Sequence, residues 1–311
     1  MLSVSNLCKA YAGKSALADI SFNLERGEIV ALLGANGSGK TTTVQSICRL
    51  VEWDTGEIYI DGIPTRSSTS FLKIIGAVLG GCRNTNWRLT AKQNADYFAR
   101  LRGFSGPAVR DKIAQIHTAL GLDEHSKKEV MKLSTGNKQK AALLCALSYS
   151  PDFVLLDEPT LGLDFQTVND LQIIMKRYAK EENQGFLVTS HDLGFIENIC
   201  DRVVVLDEGK LLFEGNMQQL KARLFNYQLV VEISPEANLA IEASVIPSYW
   251  HGRFNLHHYQ NTITVNYETS NQSLAFMHFL HQQNIQIDDL RIEPLSIEKA
   301  YQALVQSKEV Q

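Results

Sequence analysis

The feature that most constrains this chain is a glycine-rich loop that lies between an apolar run and a helical pattern. Ile29–Leu33 is continuously apolar, and the sequence GANGSGKT that follows it, Gly34–Thr41, matches the pattern G-x4-G-K-[ST]. In such a loop, backbone N–H groups turn inward around phosphate groups, and the following helix points its positive end at them. Strand, loop and helix in this order therefore predict a nucleoside-triphosphate site rather than a simple turn.

The chemistry of the side chains in this loop predicts their roles. Lys40 is expected to contact the β- and γ-phosphates, and the Thr41 hydroxyl is expected to ligate Mg²⁺. The residues predicted to surround the nucleotide phosphates are Gly34, Asn36, Gly37, Ser38, Gly39, Lys40, Thr41 and Thr42.

A second apolar run ends in two acids. Phe153–Leu156 reads FVLL and is followed by Asp157 and Glu158. Ligands of open parallel sheets bind at the carboxyl ends of the strands, so these acids are expected to lie beside the phosphate loop. Asp157 is suited to hold Mg²⁺, and Glu158 is suited to act as the base that polarises an attacking water. The two motifs together predict a P-loop nucleoside triphosphatase but not its kind.

Composition excludes several other classes of protein. Among the 311 residues, 44% are hydrophobic and 21% are charged, which is ordinary globular usage and excludes a disordered or collagen-like chain. The net charge of -4 provides no overall attraction to nucleic acid or anionic lipid.

Five scattered cysteines without CxxC spacing predict reduced thiols and not a disulfide framework. Neither a signal peptide nor an apolar run of the ~18–20 residues that span a bilayer is found, so any membrane role is expected to come through a partner.

The alternation of patterns predicts an α/β fold in two parts. Continuous apolar runs at 29–33, 153–156, 186–189 and 203–206 suit a sheet buried on both faces. We expect residues 1–222 to form one domain, with a helical subdomain inserted at 84–150. Residues 225–311 predict a small α+β domain of ferredoxin-like topology, with strands near 228–233, 262–267 and 285–292 and helices near 274–280 and 296–306.

A third motif resembles a family signature. Lys132–Lys140, KLSTGNKQK, resembles the LSGGQ signature of ATP-binding-cassette (ABC) proteins, from which it departs at Thr135 and Asn137. The Asn137-Lys138 pair does not indicate the guanine-reading NKxD motif, because its fourth position is Lys140. Taken alone, Ser134 could simply be a helix N-cap, which is the more frequent meaning of such a sequence.

Other segments match the same family in the same order. Leu161–Asp164, LGLD, resembles the D-loop, and Ser190-His191-Asp192 is similar to the segment that carries the switch histidine. Tyr11 resembles the aromatic residue that stacks on adenine. The resemblance covers residues 1–222.

The resemblance implies a P-loop ABC ATPase fold with a mixed sheet, an inserted helical subdomain and bound ATP and Mg²⁺. It implies that Lys40, Glu158 and His191 act in catalysis and that Thr41 and Asp157 hold Mg²⁺. In this family two copies enclose the nucleotide, so Ser134, Gly136 and Asp164 are expected to complete the partner's site. The partners implied are a transmembrane permease on a separate chain and either a second copy of this chain or a related ATPase subunit, without nucleic acid. The location implied is the cytoplasmic face of the membrane, and the C-terminal tail around Glu293–Tyr301 resembles that of exporter ATPases.

One position departs from the family. The family carries a glutamine after a strand resembling Ile75–Leu79, where it coordinates Mg²⁺ and senses the membrane partner, and this chain has Gly80. Water or Asn84 is a candidate replacement as ligand. Trp87 is the candidate anchor for the partner, and its burial inside the helical subdomain is the alternative. Two alternatives stay open, a soluble ABC ATPase acting on DNA or ribosomes and a weakly active regulatory cassette.

Overall fold

The structure is a computed structural model that describes residues 1–80, 85–190, 192–222, 227–234, 254–257, 262–267, 270–283 and 285–294. The chain forms two compact units, residues 1–217 and 218–311. The boundary predicted between residues 222 and 225 lies a few residues further along. No helix within the described ranges is both long and apolar enough to cross a membrane.

The first unit alternates strands and helices. Its strands are β1 (Leu2–Tyr11), β2 (Lys14–Leu24), β3 (Ile29–Leu33), β4 (Thr55–Ile60), β5 (Ile63–Pro64), β6 (Ile75–Val78), β7 (Phe153–Asp157), β8 (Gly185–Thr189), β9 (Arg202–Asp207) and β10 (Lys210–Gly215). Its helices are α1 (Lys40–Ile47), α2 (Ala91–Leu101), α3 (Pro107–Ala119), α4 (Thr135–Leu147), α5 (Phe165–Glu181) and α6 (Leu193–Ile199). A further helix, α7 (Met217–Ala222), begins at the last residue of this unit and continues into the second.

The six-stranded sheet has the order β10-β9-β3-β8-β7-β6, and all of its strands are parallel except β10. Every residue of β3, β7 and β8 is buried, which explains why these strands are apolar without alternation. Because β8 lies between β3 and β7, the carboxyl ends of all three strands meet at one edge. The predicted α/β fold with a mixed sheet is confirmed.

A second, antiparallel sheet has the order β2-β1-β4-β5. Its inner face joins one apolar core with β3 of the large sheet and with α1, through residues such as Leu2, Ile20, Leu32, Val44 and Ile47. Burial on this scale stabilises the start of α1 against both sheets, since each fully buried aliphatic side chain contributes about 1.5–3 kcal/mol. The glycine loop is thereby held at both of its ends.

Helices α2, α3 and α4 form the inserted helical part, as predicted. Thr90 begins α2 through a capping box, in which its hydroxyl accepts from the Gln93 N–H while the Gln93 side chain accepts from the Thr90 N–H. Pro107 occupies the first position of α3, where its missing N–H costs nothing. Ser134 caps α4. These local signals explain why the starts of the three helices could be predicted from the sequence.

The second unit contains β11 (Tyr227–Ile233), β12 (Phe254–His257), β13 (Thr262–Tyr267), α8 (Ser270–Gln282) and β14 (Ile287–Pro294). The sheet order is β12-β13-β11-β14, and all neighbouring strands are antiparallel. This is the strand order of a ferredoxin-like fold, in which β13, α8 and β14 form a split βαβ unit. The helix predicted at 296–306 lies outside the described residues.

Two boundaries differ from the prediction in this unit. The helix begins at Ser270 rather than Leu274. The strand predicted from Ile285 begins at Ile287, because the Ile285 N–H donates to the Leu280 carbonyl at 3.1 Å and still belongs to the turn that ends the helix. The core of this unit packs α8 on β11 and β13 through Val231, Val265 and Phe276.

Candidate active site

The glycine loop lies at the carboxyl end of β3 and leaves no room for side chains at two positions. A Cβ at Gly34 would overlap the Ser38 Oγ. Gly39 precedes α1 with a φ of 106°, in the left-handed region that favours glycine, and its Cβ would lie 2.6 Å from a methyl of Leu17. The loop is therefore tightly wound, with the first turn of α1 opening directly from it.

Lys40 closes this loop from within. Its Nζ donates to the Gly34 carbonyl at 2.7 Å and to the Ala35 carbonyl at 3.0 Å. Burial lowers the pKa of Lys40, and the nearby carboxylates of Glu158 and Asp157 partly oppose that shift. Phosphate oxygens would give this ammonium stronger, charge-assisted hydrogen bonds than the two carbonyls do.

Asp157 ends β7 with a buried carboxylate. The Thr41 hydroxyl lies 3.3 Å from each of its oxygens, and the Thr189 hydroxyl donates to its Oδ1 at 2.6 Å. A hydroxyl and a carboxylate are hard oxygen donors, which suit Mg²⁺ in a site where phosphate and water supply the remaining ligands. Thr41 and Asp157 therefore fit the ion that the sequence predicts.

Glu158 follows β7 with a φ of 52°, in the left-handed region that is unfavourable for any residue with a Cβ. Its N–H donates to the Thr189 hydroxyl at 3.0 Å and to the Thr189 carbonyl at 3.2 Å. Backbone of this kind costs about 1–3 kcal/mol and persists where the surroundings hold it, typically at functional sites. The side chain predicted to be the base is thus held in a strained turn.

Thr189 is the site residue that the sequence interpretation missed. It lies opposite Asp157 on β7 and opposite Leu32 on β3 in the parallel ladders. Its hydroxyl binds both the Asp157 carboxylate and the Glu158 N–H. The only signal in the sequence is its place as the polar last residue of the apolar run FLVT. His191, two residues further on, lies outside the described residues.

Ser134, Gly136 and Asp164 form a second group at the N-terminal ends of α4 and α5. The Ser134 hydroxyl accepts from the Asn137 N–H at 3.3 Å, and Asp164 accepts from the Thr167 N–H at 2.9 Å. Gly136 is buried, and a Cβ there would lie 2.9 Å from the Thr167 Oγ1. The signature-like segment and the D-loop-like segment are therefore neighbours.

Tyr11 and Trp87 are both half-exposed aromatic residues. Tyr11 ends β1 beside a two-residue turn, and the Lys9 Nζ lies 5.2 Å from its ring centroid. Trp87 precedes α2, and the Lys138 Nζ lies 5.5 Å from its ring centroid. The burial of Trp87 inside the helical part, which the sequence left open, does not occur.

Gly80 follows β6 with a φ of 63°, and no heavy atom lies within 4 Å of the position of a Cβ there. The glycine is therefore required by the backbone and not by crowding. Asn84, the candidate replacement ligand, lies outside the described residues.

A phosphate loop on a parallel strand, with two acids ending a neighbouring strand, defines a P-loop nucleoside triphosphatase. The helical insertion contains the segment that resembles the LSGGQ signature, with Ser134 as the N-cap of α4. This insertion narrows the class to ATPases of the ATP-binding-cassette type. The sequence model described as "ABC transporter" matches residues 17–161. The chain is 34% identical over 206 residues to the ABC transporter ATP-binding protein NatA of Bacillus subtilis. The aligned region covers 66% of this chain and 83% of NatA. The chain belongs to the ABC transporter family, as an ATP-binding and ATP-hydrolysing subunit.

Two further relatives carry names of transported or resisted compounds. The linearmycin resistance ATP-binding protein LnrL of Bacillus subtilis is 31% identical over 224 residues, 72% of each chain. The bacitracin transport ATP-binding protein BcrA of Bacillus licheniformis is 32% identical over 231 residues, 73% of each chain.

Solved structures agree with this assignment. An ATP-binding subunit of an ABC transporter matches with a TM-score of 0.65 and 28% identity, covering 72% of this chain and 92% of that chain. A dimeric ATP-binding cassette in a post-hydrolysis state, bound to ADP and Pi, matches with a TM-score of 0.64 and 27% identity. That match covers 70% of this chain and 99% of the cassette.

Proposed function

We propose that this subunit powers an exporter, by ATP-driven closure of two ATPase copies against a separate transmembrane permease at the cytoplasmic face of the membrane. The observation that carries the catalytic part is the shared use of Thr189 by the two acids at the end of β7. The two relatives named for bacitracin and linearmycin support export. No role for nucleic acid is proposed.

In this proposal each side chain has a task. Lys40 leaves the Gly34 carbonyl for the β- and γ-phosphates, where its charge offsets that of the transferred group. Thr41 and Asp157 hold Mg²⁺, which when bound draws charge from the phosphate oxygens. Glu158 accepts a proton from the attacking water, and its strained turn restricts where the carboxylate points. His191 keeps the catalytic role of the switch histidine, and Tyr11 keeps its place on the adenine ring, as the resemblance implies.

A second copy completes the nucleotide site in this proposal. Ser134, Gly136 and Asp164 are gathered at two helix N-termini, whose free N–H groups suit the γ-phosphate held by the partner copy. Closure excludes water from the site and commits the nucleotide to hydrolysis. The dimeric cassette to which this chain is similar supports the arrangement.

An apolar groove supports the permease as partner. It has a volume of about 350 Å³ and lies between β6 of the core and helices α2 and α4. Its lining includes Leu50, Ala77, Leu79, Phe98, Arg102 and Tyr149. Because Leu50 lines the groove and is exposed, we propose that a short cytoplasmic helix of the permease docks in it. The half-exposed Trp87, two residues after the groove-lining Thr85, is the proposed further contact.

The catalytic proposal is tested by Glu158→Gln, which removes the base but keeps the shape of the side chain. We expect unchanged ATP affinity, hydrolysis lower by about 10²–10⁴-fold, and accumulation of an ATP-bound dimer detected by size-exclusion chromatography. Hydrolysis close to that of the wild type would remove Glu158 from the role of base.

The transport proposal is tested by purifying the chain with its bound membrane protein. We expect a polytopic membrane protein to co-purify, and Trp87→Ala to leave ATP affinity intact while the membrane protein no longer changes the ATPase rate. Ile173→Ala, at an exposed apolar residue of α5 that is not part of the groove lining, is the control. Co-purification with ribosomes or DNA instead would favour the soluble alternative.

A further inference from the structure

Helices α4 and α5 touch along a line that begins at the two segments placed at the dimer interface. Gly136 on α4 lies against Thr167 on α5, with the position of a Gly136 Cβ 2.9 Å from the Thr167 Oγ1. One helical turn further along both helices, the Lys140 Nζ binds the Asp170 Oδ2 at 2.8 Å. The two helices thus contact each other at two points, Gly136 against Thr167 and Lys140 against Asp170, one turn apart on each helix.

The Lys140–Asp170 pair is held by partial burial and by hydrogen bonds to both carboxylate oxygens. The side chains are 13% and 32% exposed, and the second carboxylate oxygen of Asp170 accepts from the Gln166 Nε2 at 3.0 Å. A pair that is largely removed from water and has both carboxylate oxygens bonded is geometrically restrictive, because breaking it leaves a charge without compensation.

The same line continues into the D-loop. The Thr167 hydroxyl donates to the Asp164 Oδ2 at 3.0 Å, and the Thr167 N–H donates to the Asp164 Oδ1 at 2.9 Å. Thr167 therefore contacts Gly136 on one side and Asp164 on the other. A displacement of α4 along α5 would disturb both segments at once.

We propose that Lys140 and Asp170 are positioning residues that hold the signature segment and the D-loop in one register. Ser134, Gly136 and Asp164 then approach the nucleotide of the second copy as one rigid unit. The inference rests on the proposed function, since it requires the closed dimer of two copies. Lys140 and Asp170 touch neither the phosphate loop nor the acids at the end of β7.

The chain offers a matched control at the far end of α5. Lys112 on α3 binds Glu182, which directly follows α5, with 2.7 Å between the charged atoms and exposures of 18% and 41%. This pair also ties the helical part to the core, but it lies away from the D-loop. If these ion pairs served only to stabilise the fold, loss of either pair would have the same effect on kcat and on melting temperature.

The experiment compares Lys140→Met with Lys112→Met in the full chain, measuring ATP affinity, ATP-dependent dimerisation, kcat and melting temperature. We expect similar losses of melting temperature in both variants and unchanged ATP affinity of the monomer. Lys140→Met alone should lower kcat by ~10–100-fold, the scale of a site misplaced by about 1 Å. Lys140→Arg, which keeps the charge, should restore most of the rate.

Asp170→Asn keeps the shape of the carboxylate and provides a second variant should Lys140→Met fold poorly. Its loss should equal that of Lys140→Met, and the double variant should be no slower than either single one, because all three remove the same interaction. Equal kcat for Lys140→Met and Lys112→Met, or multiplicative losses in the double variant, would overturn the inference. A wild-type chain that hydrolyses ATP without dimerising would instead contradict the proposed function.

Discussion

Glu158 combines a proposed catalytic carboxylate with a left-handed backbone, and the two can be separated by substitution. Glycine at this position would relieve a penalty of about 1–2 kcal/mol for a Cβ in that region, against an unfolded-state entropy cost of ~0.5–1 kcal/mol. We expect Glu158→Gly to be more stable than Glu158→Ala by up to about 1 kcal/mol, as measured by urea unfolding, while both variants lose hydrolysis. A Glu158→Gly variant less stable than Glu158→Ala by ~0.5–1 kcal/mol, which is the entropy cost alone, would show that the strain at φ 52° has no energetic effect.

Gly80 is a glycine at a left-handed backbone position where the family has a glutamine. The question here is what a side chain at this position would cost. The left-handed φ of 63° penalises any side chain, whereas the space around the Cβ position is open. We expect Gly80→Gln and Gly80→Ala to destabilise the protein equally, by about 1 kcal/mol, and Gly80→Gln to change the basal ATPase rate less than tenfold. A larger change with glutamine than with alanine would identify a side-chain effect that the glycine has removed.

At the scale of elements, α3 carries a fully buried histidine. The His117 Nδ1 lies 3.1 Å from the Asp123 Oδ1, so the neutral ring donates from Nδ1, and the Nε2 atom is buried without a hydrogen-bond partner among the described residues. Burial lowers the pKa of His117 below its model-peptide value of about 6.5. The folded state therefore favours the neutral ring, and the unfolded state binds the extra proton.

The sign of the pH effect follows from this pKa. Above pH ~6.5 both states are neutral at this ring, and as the pH falls below that value the unfolded state is protonated first, so the free energy of unfolding decreases. We expect this decrease between pH ~7 and ~5.5 in denaturant unfolding, and a smaller decrease in His117→Asn. Asp123, whose pKa is lowered chiefly by the hydrogen bond from His117, titrates below this window. A steeper loss in His117→Asn would contradict the assignment.

The β1–β2 hairpin presents Tyr11 on a rigid turn. Ala12 and Gly13 both have a positive φ, as a two-residue hairpin turn requires, and Tyr11 pairs with Lys14 across it. We expect Tyr11→Ala to weaken ATP binding by the ~1–3 kcal/mol that base stacking contributes, whereas Tyr11→Phe keeps the affinity, as measured by fluorescence titration. Loss of affinity in the phenylalanine variant would assign the effect to the phenol and not to the ring.

At the scale of the whole molecule, the exposed apolar residues beside the D-loop suit a second copy. Leu161 and Phe165 are 71% and 80% exposed, far more than large apolar side chains usually are. We expect Phe165→Glu, in the Glu158→Gln background, to abolish the ATP-bound dimer seen by light scattering. Ile173→Glu is the control, because this residue is 66% exposed on the same helix but two turns away. Equal loss of dimer in both variants would place the interface elsewhere.

The sequence by itself determined the parts of the site that are contiguous. The glycine loop, its strand and α1 are one uninterrupted segment, and Ser134 caps α4 within three residues, so short-range hydrogen bonding specifies them. The apolar runs indicated buried parallel strands for the same reason, since burial on both faces disfavours polar residues along a short segment, and the polar Asp157 and Thr189 stand only at the carboxyl ends. The ferredoxin-like topology of the second unit could also be predicted, from the order of strands and helices along the chain.

Only the tertiary structure decided which distant residues meet. Thr189 reaches Asp157 across 32 positions because β8 pairs with β7, and Lys140 reaches Asp170 across 30 positions because the N-terminal parts of α4 and α5 approach each other. Neither contact has a local signal, since strand order and helix register depend on how apolar faces are buried over the whole unit. The strained turn at Glu158 is likewise imposed from outside, by the Thr189 hydroxyl and carbonyl that hold its N–H.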